Sequence, residues 1–113
     1  MTKRKITPAP AALEALGVQP FDLADYLDSD EAITEYLSQV LADGDADELL
    51  RALGHIAKAK GMTRVAREAG LGRESLYKTL APGAKPRFDT IQRILAALGL
   101  RLSVKADKPR SAA

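Results

Sequence analysis

Cysteine is absent from the chain, which excludes disulfides, zinc–thiolate sites and thiol nucleophiles. Tryptophan is absent as well, and the aromatic residues are only Phe21, Tyr26, Tyr36, Tyr77 and Phe88. A lone histidine, His55, has no second histidine or cysteine with which to share a metal, so it reads as a structural side chain. No apolar run approaches the ~20 residues of a membrane span. The basic start Lys3-Arg4-Lys5 is followed by Ile-Thr-Pro-Ala-Pro and then Glu14 rather than by the apolar stretch of a signal peptide, so a cytoplasmic location is expected. The most informative absence is of one charge sign. Between Ile6 and Leu50 there are eleven acids and no lysine or arginine.

The rest of the chain reverses that balance. From Arg51 to Ala113 there are fourteen bases and four acids, so the net charge of +2 over 113 residues hides an acidic half and a basic half. Segregation of this kind points to two partners of opposite sign, or to two halves that neutralise each other across the fold. Surface pairs contribute little and do not call for complete segregation, which favours two partners.

Residues 1–20 read as a flexible extension, with a short helix between Pro10 and Leu16 closed by Gly17. FDLADYLD is ambiguous between a strand and a helical turn. Asp28-x-x-Glu31 has capping-box spacing, and a helix follows with Ile33, Tyr36, Leu37, Val40 and Leu41 on one face. Asp45-x-x-Glu48 repeats the signal ahead of Leu49, Leu50, Leu53, Ile56 and Ala57, and that helix stops at Gly61. Thr63 is placed to cap a helix over Arg64 to Ala69, Gly70 interrupts it, and the next helix starts near Arg73 and ends before Pro82. A last helix over Phe88 to Leu98 carries Ile91, Ile94, Leu95 and Leu98. LRLSVK then alternates apolar and polar residues in the manner of a half-buried strand, and residues 106–113 form a disordered tail.

The segment MTRVAREAGLGRESLYKTL holds two short helices that meet at a glycine. Ala66, Gly70 and Leu76 supply the small residue at a helix crossing, the left-handed turn and the apolar lock that a helix-turn-helix requires; Val65, Ala69 and Leu71 add buried positions. The second helix then exposes Arg73, Glu74, Tyr77 and Lys78, with Ser75 near its start. Arginine is the commonest reader of guanine in the major groove, and glutamate accepts from the cytosine amino group. Lys78, Arg64, Lys85 and Arg87 are suited to phosphates. Thr63 is counted with them as a DNA-binding candidate. GLGRES lacks the third glycine of a phosphate loop, and the acids at 43–48 do not have the order of a calcium loop. No catalytic constellation emerges; neither an enzyme nor a cofactor is expected.

With ALGHIAKAKGMTRVAREAGLGRESLYKTL and PRFDTIQRILAALGLRL, the chain resembles the Xre, or lambda-repressor-like, helix-turn-helix proteins, and within them the group of probable addiction module antidotes. The resemblance includes FDLADYLDSDEAITEYL and so covers about Phe21 to Val104. It implies an all-α, five-helix DNA-binding bundle at residues 21–105, acidic over 21–50 and DNA-binding over 51–105, with Arg73 to Leu80 as recognition helix. It further implies an antitoxin that binds double-stranded operator DNA to repress its own operon, and that neutralises a small basic toxin resembling the RelE/ParE group. Two departures stand out: Gly72 replaces the usual serine cap, and Arg64 the usual phosphate-binding glutamine.

An acidic half suits a basic toxin, with Phe21, Leu23, Asp25, Tyr26 and Leu27 as its anchor, unless those apolar side chains pack on the bundle. Deleting residues 1–44 is then expected to abolish neutralisation and to spare some DNA binding. Repressors of this type bind as dimers, and Leu100, Leu102 and Val104 offer a strand that pairs either with its own copy or with the toxin's sheet. Two alternatives remain: a transcriptional regulator without a toxin, and an interaction module whose helix pair is only scaffold.

Overall fold

The computed structural model describes residues 23–107. These form a single turn, α1 (Leu23–Tyr26), and five longer helices: α2 (Asp30–Asp43), α3 (Ala46–Lys60), α4 (Met62–Ala69), α5 (Arg73–Thr79) and α6 (Phe88–Ala97). The all-α expectation holds over this range. The short helix expected at Pro10 to Leu16 lies outside the described residues.

Local chemistry sets most of the helix ends. Asp45 caps α3 as its spacing predicts: Oδ1 accepts from the Asp47 N–H at 2.9 Å and the Glu48 N–H at 3.3 Å. At α2 the cap is Ser29 rather than Asp28. Ser29 takes the extended conformation, and its Oγ accepts from the Ala32 N–H at 3.1 Å. Thr63 caps nothing. Gly61 ends α3 and begins α4, so the second helix is already under way at Met62 and Thr63 sits exposed in its first turn.

α4 ends in a Schellman turn. Gly70 is left-handed (φ 75°), its N–H reaches the Arg67 carbonyl at 3.1 Å, and the Leu71 N–H reaches the Ala66 carbonyl at 2.8 Å. Gly99 ends the α6 segment in the same way, with Leu100 bonded to Leu95.

A single core joins all six elements. α2 packs on α3, α3 on α4, and α4 on both α5 and α6. Ile33, Tyr36, Val40, Leu53, Ile56, Val65, Leu76, Ile94 and Leu98 are fully buried at its centre, each contributing roughly 1.5–3 kcal/mol relative to exposure. Because α2 contributes Ile33, Tyr36, Leu37 and Val40, the acidic and basic halves are not separable: deletion of residues 1–44 would open the core. The loss of these four buried side chains bears against the expectation that some DNA binding survives that deletion. Leu41 lies at the margin of the α2 stripe and is 43% exposed.

No strand forms among the described residues at the C-terminal end. Residues 100–107 run without regular structure, Leu100 is half-buried against the core, and Leu102 and Val104 are exposed, the latter to 97%. Alternation alone does not make a strand, since a ladder needs a second backbone and the described residues, all helical or irregular, offer none.

Candidate nucleic-acid interface

The surface built by α4, the turn at residues 70–72 and α5 starts from three buried contacts. Ala66 (2% exposed) allows the two helices to approach, Gly70 turns the chain, and Leu76 (0%) locks α5 into the core. Val65 and Ala69 are buried beside them, and Leu71 packs partly against the core. With Leu76 facing inward, the remaining faces of α5 turn to solvent. Arg73, Glu74, Ser75, Tyr77 and Lys78 are all exposed, as are Thr63, Arg64, Lys85 and Arg87.

Arg73 and Tyr77, one helical turn apart, form a unit. The guanidinium lies 5.6 Å from the Tyr77 ring centroid and Nη2 is 3.5 Å from the hydroxyl. The stack projects both side chains from the same part of α5. Arg64 is paired with Glu68 at 3.3 Å and Arg87 with Asp89 at 3.1 Å. The Arg87 guanidinium is the main reason that the Asp89 carboxyl is held below its ordinary range. Both pairs are exposed, so either arginine can trade its carboxylate for another anion at little cost. Lys78 and Lys85 enter no ion pair among the described residues. Gly72 precedes α5 with no side-chain cap, so the first turn of that helix leaves its N–H groups without that support.

Several contributors have no signal in the linear pattern. Arg93 of α6 comes so close to the turn that a Cβ on Gly70 would stand 3.4 Å from its Nη1. Phe88, at the start of α6 beside Arg87, is 64% exposed. Asp47 of α3 accepts from the Gly83 N–H at 2.9 Å and so touches the loop that carries Lys85 and Arg87.

Three acids of the acidic half cluster on α2. α2 has no basic residue, and Asp30, Glu31 and Glu35 line a shallow groove with Thr34, Ser38 and Gln39. Lys60–Asp30 at 3.4 Å is the single ion pair between the two halves among the described residues, so mutual neutralisation is not their main arrangement. Of the expected anchor residues, Leu23 (4%) and Leu27 (2%) are buried in the core. Tyr26 is half-buried and donates to Glu35 Oε1 at 3.2 Å; burial, then that bond, raises its pKa. Phe21 and the Asp25 side chain lie outside the described residues. His55 is half-buried on α3, and its Nε2 has no hydrogen-bond partner among the described residues. Among those residues no helix is long and apolar enough to cross a membrane.

Comparison with known proteins gives a family and a relative. The family described as "Probable addiction module antidote protein" matches residues 17–106. An uncharacterized protein of Haemophilus influenzae is 38% identical over 91 residues, which is 80% of this chain and 94% of the relative. No solved structure matches.

Proposed function

The chain belongs to the family of probable addiction module antidote proteins, and from this we propose that it is the DNA-binding antitoxin of a toxin–antitoxin module, which neutralises a basic toxin of the RelE/ParE kind and represses its own operon. The observation that carries the reading is the span of the family match: residues 17–106 take in both the acidic helix α2 and the α4–α5 pair. A protein with two partners needs both surfaces.

In this reading α4 and α5 form a helix-turn-helix of the lambda-repressor type. α5 enters the major groove. Arg73 reads guanine through O6 and N7, Tyr77 supports it from one turn on, and Glu74 is suited to a cytosine amino group. Thr63, Arg64, Ser75, Lys78, Lys85 and Arg87 address the backbone, where they set register and carry the salt-dependent share of affinity. The toxin approaches the acidic residues of α2. Asp30, Glu31 and Glu35 steer a basic surface toward it, and Asp25 and Tyr26, with Phe21, make the close contact. Leu23 and Leu27 then act by holding the α1 turn in place rather than by direct insertion.

Operator binding uses a dimer, whose two recognition helices meet half-sites about 34 Å apart. The open segment with Leu100, Leu102 and Val104 supplies its contact: two exposed apolar side chains and unpaired backbone groups are complementary to a second copy of themselves.

The test is titration of the DNA upstream of the chain's own gene, with and without the product of an adjacent short basic reading frame. The expected outcome is sequence-specific binding by the chain alone, and suppression of the neighbour's toxicity on co-expression. Neutralisation without DNA binding would reduce the helix pair to scaffold. Specific DNA binding with no toxic partner would leave a transcriptional regulator.

A further inference from the structure

The loop between α5 and α6 has no regular structure over residues 84–87 and contains Pro82 and Pro86, yet it carries Lys85 and Arg87. The N–H groups of residues 81–87 make two backbone turn contacts, Ala81 N–H to the Lys78 carbonyl at 3.3 Å and Ala84 N–H to the Ala81 carbonyl at 3.1 Å. A third bond comes from outside. Asp47 Oδ1 accepts from the Gly83 N–H at 2.9 Å across thirty-six residues of chain. A carboxylate that accepts from a backbone N–H makes one of the stronger hydrogen bonds available to a loop.

The acceptor is itself well held. Asp47 sits in the first turn of α3, where its own N–H is bonded to the Asp45 side chain. Just beyond, Leu50, Leu53 and Ile56 bury α3 in the core. A continuous path therefore runs from the core through the α3 N-terminus to Gly83, two residues before Lys85 and four before Arg87. Asp47 is one of only two acids of the acidic half whose side chain bonds to the basic half among the described residues; the other, Asp30, reaches Lys60 at the end of α3 and not the candidate interface.

We infer that Asp47 is a positioning residue of the nucleic-acid interface. It holds the 81–87 loop so that Lys85 and Arg87 meet phosphates while Arg73 and Tyr77 are in the groove. The inference rests on the DNA-binding reading above. Its physical content is preorganisation: a loop already fixed by Asp47 does not have to be ordered when DNA arrives, whereas a released loop sets that entropy against the contacts of both basic side chains. Asparagine keeps an acceptor oxygen within reach of Gly83, though without the charge that strengthens the bond, whereas alanine has no acceptor and serine is too short to reach.

The experiment titrates the full chain with its upstream DNA at several salt concentrations, for the parent, Asp47→Ala, Asp47→Asn and the pair Lys85→Ala/Arg87→Ala, alone and combined with Asp47→Ala. Amide exchange at Gly83 is followed in parallel. Asp47→Ala is expected to weaken binding at least about fivefold, the lower end of the ordering cost of two long side chains. Its log K against log salt slope should be shallower by up to about 0.9 for each phosphate that the loop no longer neutralises. Asp47→Asn should stay within about twofold of the parent and retain slow exchange at Gly83, and Asp47→Ala should add no loss to the Lys85/Arg87 pair. Should Asp47→Ala unfold, Asp47→Ser replaces it, since serine is at home in a first helical turn but too short to reach Gly83. An unchanged salt slope in a folded variant, or a full further loss on the Lys85/Arg87 background, would mean that Asp47 only stabilises the fold and would overturn the inference. A parent that binds no DNA would overturn the DNA-binding reading and this inference with it. A variant that binds like the parent would overturn the inference alone.

Discussion

Replacing Arg73 by alanine separates recognition from folding, because the side chain is exposed and its protein contacts are few. The guanidinium lies over the Tyr77 ring at 5.6 Å, with one long contact of 3.5 Å to the hydroxyl. An exposed cation–π contact is worth about 0.5–1 kcal/mol, so the folding stability of Arg73→Ala should fall by no more than about 1 kcal/mol. If Arg73 reads a guanine bidentately, the loss on the operator is about 1–3 kcal/mol, equivalent to roughly 5–150-fold in Kd. The loss should be confined to DNA that carries the matching base, since a variant without the arginine has nothing to discriminate with at that position. Arg73→Lys should fail nearly as badly, because an ammonium lacks the planar fork that meets O6 and N7 together. Fluorescence anisotropy on the upstream DNA and on a panel of single-base variants measures both numbers, and urea unfolding supplies the stability control. Arg87→Ala is the contrasting case: without its phosphate partner, binding weakens on all sequences alike and the salt slope falls by about 1. An Arg73→Ala protein with the parent's affinity and base preferences would show that α5 is not the reading helix.

Gly70→Ala should destabilise the fold by about 1–2 kcal/mol in urea unfolding, because φ is 75° and an L-residue is strained there, and Gly70→Asn should cost less; the neighbouring Arg93 Nη1 is the free end of a flexible side chain and can move away. Tyr36 is fully buried and its hydroxyl has no partner among the described residues, and burial, then Glu48, pushes its pKa up to about 12, so Tyr36→Phe should be stabilising, by up to about 1–3 kcal/mol in the same assay. Burial, then the charges of Lys58 and Arg51, lower the His55 pKa, so the unfolded chain takes up a proton near pH 6.5 that the folded chain resists. Stability is therefore fully present above that pH and drains as pH falls through it toward the folded value, and His55→Gln should lose less between pH 7.5 and 5 than the parent does. Leu102→Asp should give a monomer by sedimentation and weaken operator binding; a dimer with unchanged affinity would place the self-contact elsewhere.

What can be read from the sequence divides by range. Helix existence, the core stripes and the outward face of α5 follow from neighbours within about two turns. Spacing alone assigns Ile33, Tyr36, Leu37 and Val40 to one face, and all four are buried. The same arithmetic assigns Arg73, Glu74, Tyr77 and Lys78 outward, with Leu76 as the inward reference. Caps fail where two signals lie close together. Ser29 and Asp28 both suit a cap, and only backbone conformation chooses between them; Thr63 has no capping role because Gly61 serves two helices at once. What spacing leaves open is long-range. For Leu23 and Leu27 the sequence leaves partner contact and core packing open, and only the assembled core shows both side chains buried; Asp47 looks like one more acid in a run of acids until the chain returns thirty-six residues later with an N–H at 2.9 Å. Leu100, Leu102 and Val104 are a different case again. Their alternation describes what the segment would do beside another backbone, and the described residues of a single copy contain no such backbone. The same pattern is therefore compatible with irregular structure in one chain and with a ladder in an assembly, and Leu102→Asp, which acts only if the second backbone exists, is the substitution that distinguishes them.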